Sequence, residues 1–152
     1  VDEFERILSE HPLLQGLSPG QIHMLAGCAS EARFDAGDFI YREGQEANTC
    51  YFIRSGMVAV QINAGQPGPV TVETVSEGGI VGWSWIVPPY RSHFDTRAME
   101  ATSAIVIDTR CFREKMAQDH DLGYEFLKRF VQVVVHRLRA ARIQLLDIYA
   151  RS

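Results

Sequence analysis

Three cysteines, no CxxC pair and no clustered histidines leave this sequence without the material of a metal centre. Cys28, Cys50 and Cys111 stand far apart, which argues against a zinc site, an iron–sulfur cluster or a disulfide framework; each is read as a small core residue. His11, His23, His93, His120 and His136 are scattered, so a cupin-like metal enzyme on a β architecture lacks its ligands, and no Ser-His-Asp or Cys-His spacing marks a nucleophile. No enzyme, metal or cofactor is expected on these grounds. No apolar run approaches the roughly 20 residues of a membrane-spanning helix, and no basic stretch followed by an apolar one opens the chain. A soluble, cytoplasmic protein is expected; the chain begins at Val1 rather than Met, which takes targeting out of what the sequence decides. Excess positive charge is missing too: the formal net charge is −4, with no overall attraction for nucleic acid. Lys128, Arg129, Arg137, Arg139 and Arg142 make the C-terminal segment locally basic, as the wet face of a long helix usually is.

With 152 residues, 46% of them apolar and 22% charged, the chain can bury one sizeable core. From Asp2 to Glu10, Phe4, Ile7 and Leu8 recur at helical spacing, and His11-Pro12 ends the pattern. Ser18-Pro19-Gly20-Gln21 reads as a second helix start, with Ser18 as N-cap, Pro19 in the first position and Gln21 completing a capping box. Ile22, Leu25 and Cys28 or Ala29 supply its buried face. From about Ala32 to Ile107 short apolar runs alternate with glycine and polar turns, the pattern of an antiparallel sandwich or roll. Strands are expected at Phe39–Tyr41, Cys50–Ile53, Met57–Ile62, Val70–Val75 and Ala104–Ile107, with a hairpin loop at Gln66-Pro67-Gly68-Pro69.

Leu127, Val131, Val134, Leu138, Ala141, Leu145 and Ile148 follow one another in alternating steps of four and three, a heptad seam, with Asp119 or Asp121 as cap. Phe126, Phe130, Val133 and Ala140 form a second apolar strip beside it. One strip can cover the chain's own sheet while the other meets a partner helix, which predicts a homodimer. With Val131, Leu138 and Leu145 at a positions, Arg137 falls at g and Arg142 at the following e; the like charges facing each other cost about a few tenths of a kcal/mol per pair.

Arg33-Phe34-Asp35-Ala36-Gly37-Asp38-Phe39-Ile40-Tyr41-Arg42-Glu43-Gly44, followed by Tyr51-Phe52-Ile53-Arg54-Ser55-Gly56-Met57-Val58-Ala59-Val60, closely resembles the first half of cyclic nucleotide-binding domains. The likeness runs on: Pro12-Leu13-Leu14-Gln15-Gly16-Leu17-Ser18 is similar to that family's helical lead-in, Ala98 to Ala101 and Ile105 to Asp108 to its last strands, and Cys111-Phe112 to the start of its hinge helix. The resemblance implies a mainly β fold with flanking helices: an antiparallel β-roll (double-stranded β-helix, or jelly roll) with N-terminal helices and a long C-terminal dimerisation helix. One domain over 1–152 follows, with a lead-in at 1–31, the roll at 32–108, and hinge and dimerisation helix at 109–152. In the bacterial catabolite-activator and FNR-like branch that helix leads into a helix-turn-helix. None is present here, so DNA binding by this chain is not expected.

The resemblance also implies a cassette in which a Gly-Glu pair opens a short helix whose amides hold a cyclic phosphate, the Glu accepts from the ribose, and an Arg nine or ten residues on neutralises the phosphate. In this sequence Trp83 follows Gly82, and an indole N–H cannot accept. Counting back from Ala98-Met99-Glu100-Ala101 puts Asp95 at the Arg position, leaving Arg91 and Arg97 as alternative cations; Arg97 shares strand parity with Asp95. Ala141 and Arg142 align with adenine-contacting residues, and Ala141 has no hydroxyl to offer. The segment Gly82 to Asp95, with five rings and an Arg, suits a stacking and cation–π pocket, although Trp83 and Trp85 can equally plug the vacated site. His93 reads as a rim or surface residue. Gly82, Trp83, Ser84, Arg91 and Arg97 are therefore the candidate ligand contacts. The expected function is a ligand-sensing regulatory module for cyclic AMP, cyclic GMP or another anionic small molecule, signalling through its dimerising helix. The competing reading is a degenerate roll that binds no nucleotide and acts as a protein-interaction scaffold.

Overall fold

The computed structural model describes residues 3–63, 65, 68–86 and 88–151. Two helices lead in, α1 (Glu3–Glu10) and α2 (Pro19–Ala26), with a 3-10 turn at Pro12–Leu14 between them. At the head of α2 the Ser18 hydroxyl accepts from the Gln21 amide and the Gln21 side chain accepts from the Ser18 amide, the reciprocal cap expected there. The start of the first helical stretch at Asp2, and Gln66-Pro67 of the expected hairpin loop, lie outside the described residues.

Among the described residues eight strands follow: β1 (Ala29–Phe34), β2 (Phe39–Tyr41), β3 (Thr49–Ser55), β4 (Met57–Asn63), β5 (Pro69–Ser76), β6 (Ile80–Val81), β7 (Asp95–Ala98) and β8 (Thr102–Asp108). They pair antiparallel into two four-stranded sheets, ordered β1-β8-β3-β6 and β2-β7-β4-β5. The fold is the expected antiparallel β-roll with flanking helices. Period-two alternation along β3 and β8 divides the interior into two cores. Cys50, Phe52, Ile105 and Ile107 face the helices, while Tyr51, Ile53 and Ala104 face the other sheet together with Ile40, Val58 and Val60. The middle of β3, Cys50 to Ile53, is buried on both faces, which is why it reads as a continuous apolar run.

Asp108 ends β8 and caps α3 (Thr109–Gln118) by accepting from the amides of Arg110 and Cys111. Asp119 then accepts from the Leu122 amide at the head of α4 (His120–Arg151), a single 32-residue helix. None of the described helices is long and apolar enough to cross a membrane.

Two of the three cysteines are not the separate core thiols expected of them. Cys28, just before β1, and Cys111, in the first turn of α3, form a disulfide with their Cα atoms 5.7 Å apart. Their separation of 83 residues carries no pairing pattern in sequence; the contact exists because β1 pairs with β8 in register Ala29 to Ile107, bringing the end of α2 beside the start of α3. Closing a loop of that length is worth about 4.5 kcal/mol in the chain-entropy treatment. Cys50 stays a free, buried thiol as expected, and burial pushes its pKa up to about 12, so it is held protonated.

Candidate functional site

A cavity of about 760 Å³ lies between the second sheet, the segment after β6 and the middle of α4. The sheet contributes Tyr41, Val60, Ile62, Val72 and Glu73; the helix contributes Phe130, Val134, Arg137, Leu138 and Ala141. Gly82, Trp83, Ser84 and Ile86 form the wall between them, with His93 and Phe94 arriving from the segment just before β7. The size falls in the range of pockets that enclose drug-sized ligands, about 300–1,000 Å³.

Gly82 has to be glycine. Its φ is +91°, and a Cβ there would stand 2.8 Å from the Thr49 carbonyl oxygen. The chain then turns through Trp83 and Ser84, closed by the Ile86 amide donating to the Trp83 carbonyl. The amides of Trp83 and Ser84 make no hydrogen bond to the described residues.

The two tryptophans have separated. Trp85 is 2% exposed and packs on Phe112 and Phe126, ring centroids 6.1 and 6.0 Å away, so it is a core residue. Its carbonyl accepts from Arg113 of α3, tying the segment to that helix. Trp83 stays in the cavity wall. Its indole donates to the Ile80 carbonyl, its ring meets Phe130 edge-on at 5.2 Å, and the Arg137 guanidinium lies 4.2 Å from its centroid. Neither ring fills the space.

Of the sequence-predicted contacts, Gly82, Trp83 and Ser84 come together in the lining, and Arg91 and Arg97 do not. Arg91 donates to the Gly44 carbonyl, and Arg97 donates to the Gly37 carbonyl beside the Phe39 ring. Asp95 does not face the cavity either; its carboxylate accepts from the Glu43 amide at 2.7 Å, with Arg42 at 3.7 Å. Asp95 and Arg97 do share one face, as their parity required, and it is the outer one. Ala141 lines the cavity, whereas Arg142 is exposed on α4.

The cation that does line the cavity is Arg137, expected only as a seam-flanking charge on a wet helix face. Its guanidinium donates to the Ile80 carbonyl and pairs with Glu73 on β5 at 3.5 Å. Burial pulls its pKa down from the usual arginine value, and Glu73 works in the opposite direction. The sequence carried a trace of this: Phe130, Val134, Arg137 and Ala141 follow one helical stripe in steps of four, three and four, so Arg137 interrupts an inward-facing row. Glu73, one polar residue among several on β5, carried none.

The seam residues Leu127, Val131, Val134, Leu138, Leu145 and Ile148 are 39–64% exposed, and Ala141 is exposed beside them. Phe126 and Phe130 of the second strip are buried in the core. Val134, Leu138 and Ala141 thus belong both to the predicted seam and to the cavity lining.

The family model for the cyclic nucleotide-binding domain matches residues 31–119. The chain is 25% identical over 132 residues to the cGMP-dependent protein kinase 2 of Mus musculus, a match covering 86% of this chain and 17% of the kinase. It spans under a fifth of that relative's length. A cyclic nucleotide-binding domain from Methylobacillus flagellatus KT superposes with a TM-score of 0.80 at 19% identity, covering 95% of this chain and 81% of the other. A cyclic nucleotide-binding-like protein from Brucella abortus bv. 1 str. 9-941 is 30% identical with a TM-score of 0.59, covering 74% of this chain and 97% of the other.

Proposed function

Because this chain belongs to the cyclic nucleotide-binding domain family, we propose that it is a ligand-sensing regulatory module whose effector sits in the cavity between the Trp83 wall and α4. One observation carries the reading: the cavity takes its lining from the roll and from α4 together, so a bound molecule touches sensor and output helix at once. A ligand that binds better in one placement of α4 than in another shifts the helix by that difference in affinity. The output is proposed to pass through a homodimer, since the heptad seam of α4 is exposed and shares Val134, Leu138 and Ala141 with the cavity. Cyclic AMP and cyclic GMP are the effectors the family puts forward, and their nucleosides are the uncharged comparison. The altered cassette makes the choice among them an experimental one.

The test is titration calorimetry of the folded protein with cyclic AMP, cyclic GMP, adenosine and guanosine, repeated on Trp83→Ala. Saturable binding by at least one of the four, weakened at least tenfold in Trp83→Ala, is expected. No saturable heat from any of them gives the scaffold reading precedence.

A further inference from the structure

We infer that the cavity selects an uncharged, planar heteroaromatic ligand of nucleoside size over a cyclic phosphate, with Glu73 as the residue that sets this preference. The inference rests on the effector-pocket reading above. Its basis is the charge count of the lining. Arg137 is the one guanidinium facing the cavity among the described residues, and Glu73 stands 3.5 Å from it, so the two formal charges cancel. An arriving monoanion would meet the attraction of Arg137 and the repulsion of Glu73 at similar range, while surrendering its hydration to walls that are mostly apolar. No other arginine offers relief, because Arg91 and Arg97 are committed to the carbonyls of Gly44 and Gly37 outside the lining.

A neutral flat ring meets none of these costs. Trp83, Phe94 and Phe130 provide aromatic surface. The amides of Trp83 and Ser84, which make no hydrogen bond to the described residues, can donate to ring nitrogens or hydroxyls of such a ligand, and the Glu73 carboxylate can accept from its amino or hydroxyl groups. Glu73 acts as a resident counter-ion: it occupies the guanidinium that a ligand phosphate would otherwise claim. Its side chain is 33% exposed and that of Arg137 21%, so the discrimination expected is moderate, about tenfold rather than absolute.

The experiment compares adenosine with cyclic AMP, and guanosine with cyclic GMP, by calorimetry on the wild type, Glu73→Gln and the double variant Glu73→Gln/Arg137→Gln, each first shown by thermal melt to be folded. In the wild type a nucleoside is expected to bind at least tenfold more tightly than its cyclic phosphate. Glu73→Gln should raise cyclic phosphate affinity about tenfold while moving nucleoside affinity by less than about threefold, and the double variant should lose that gain, because the freed guanidinium is then gone. Cyclic phosphate binding as tight as nucleoside binding in the wild type, or a gap unchanged by Glu73→Gln, overturns the inference and leaves the pocket reading standing. Absence of binding by all four probes to every folded variant overturns the pocket reading itself.

Discussion

Leu122, Phe126 and Phe130, in the first turns of α4, are at most 2% exposed, whereas Leu138, Leu145 and Ile148 further along the same helix are 48–64% exposed. The two stretches are equally apolar and equally helical, so the difference lies in what faces them. The first rests on α3, Trp85 and the helix-facing core. The second borders the open cavity at Leu138 and continues beyond it to Leu145 and Ile148, which lie outside both cores of the described residues. Helical hydrogen bonds alone stabilise a segment only marginally, and a sustained heptad without a partner leaves its burial energy unclaimed. α4 thus has two environments in series: its first half completes the core, and its second half lines the cavity at Val134, Leu138 and Ala141 and leaves the rest of its apolar face exposed.

That division can be broken most forcefully at its buried end. Phe126→Ala removes a ring stacked on Phe130 and packed against Phe112 and Trp85, and is expected to lower unfolding free energy by about 3–5 kcal/mol in urea titration. Leu145→Ala, measured where the protein is monomeric, should change it by less than about 0.5 kcal/mol; equal losses at the two positions would show that both halves serve one core. A subtler contrast concerns assembly. The wild type is expected to sediment as a dimer, and Leu145→Lys as a monomer with a near-wild-type melt, since a charge at that seam position is buried only in the pair. A wild-type monomer would remove the partner from the account.

Much of the architecture was legible because it rests on local chemistry. The Ser18–Gln21 capping box, the apolar runs of β3 and β4 and the two strips of α4 are written in neighbouring residues whose spacing matches one element. Three strands were not: β1 reads Ala-Ser-Glu-Ala-Arg-Phe with few apolar residues, β6 spans two residues, and β7 carries Asp95 and Thr96 buried. Polar residues that are satisfied by tertiary partners, as Asp95 is by the Glu43 amide, look like loop until those partners are known. The Cys28–Cys111 bridge and the Glu73–Arg137 pair fail for a related reason, since each joins residues far apart in the chain that only strand order and helix placement bring together. In the altered cassette, Gly82, Trp83 and Ser84 were legible as one stretch of the wall, and the backbone requirement at Gly82 and the direction of each tryptophan were not. Trp83 and Trp85, two residues apart, went to a cavity wall and to the core.

The central claim is that α4 reads the contents of the cavity, and amide hydrogen exchange along the helix tests it most directly, with and without a saturating amount of whichever nucleoside or cyclic nucleotide binds. Exchange should slow at residues 130–141 and at 82–86, the stretches that share the cavity lining, while β1 on the opposite sheet keeps its rate. Saturable binding that leaves exchange in 130–141 unchanged would contradict the account.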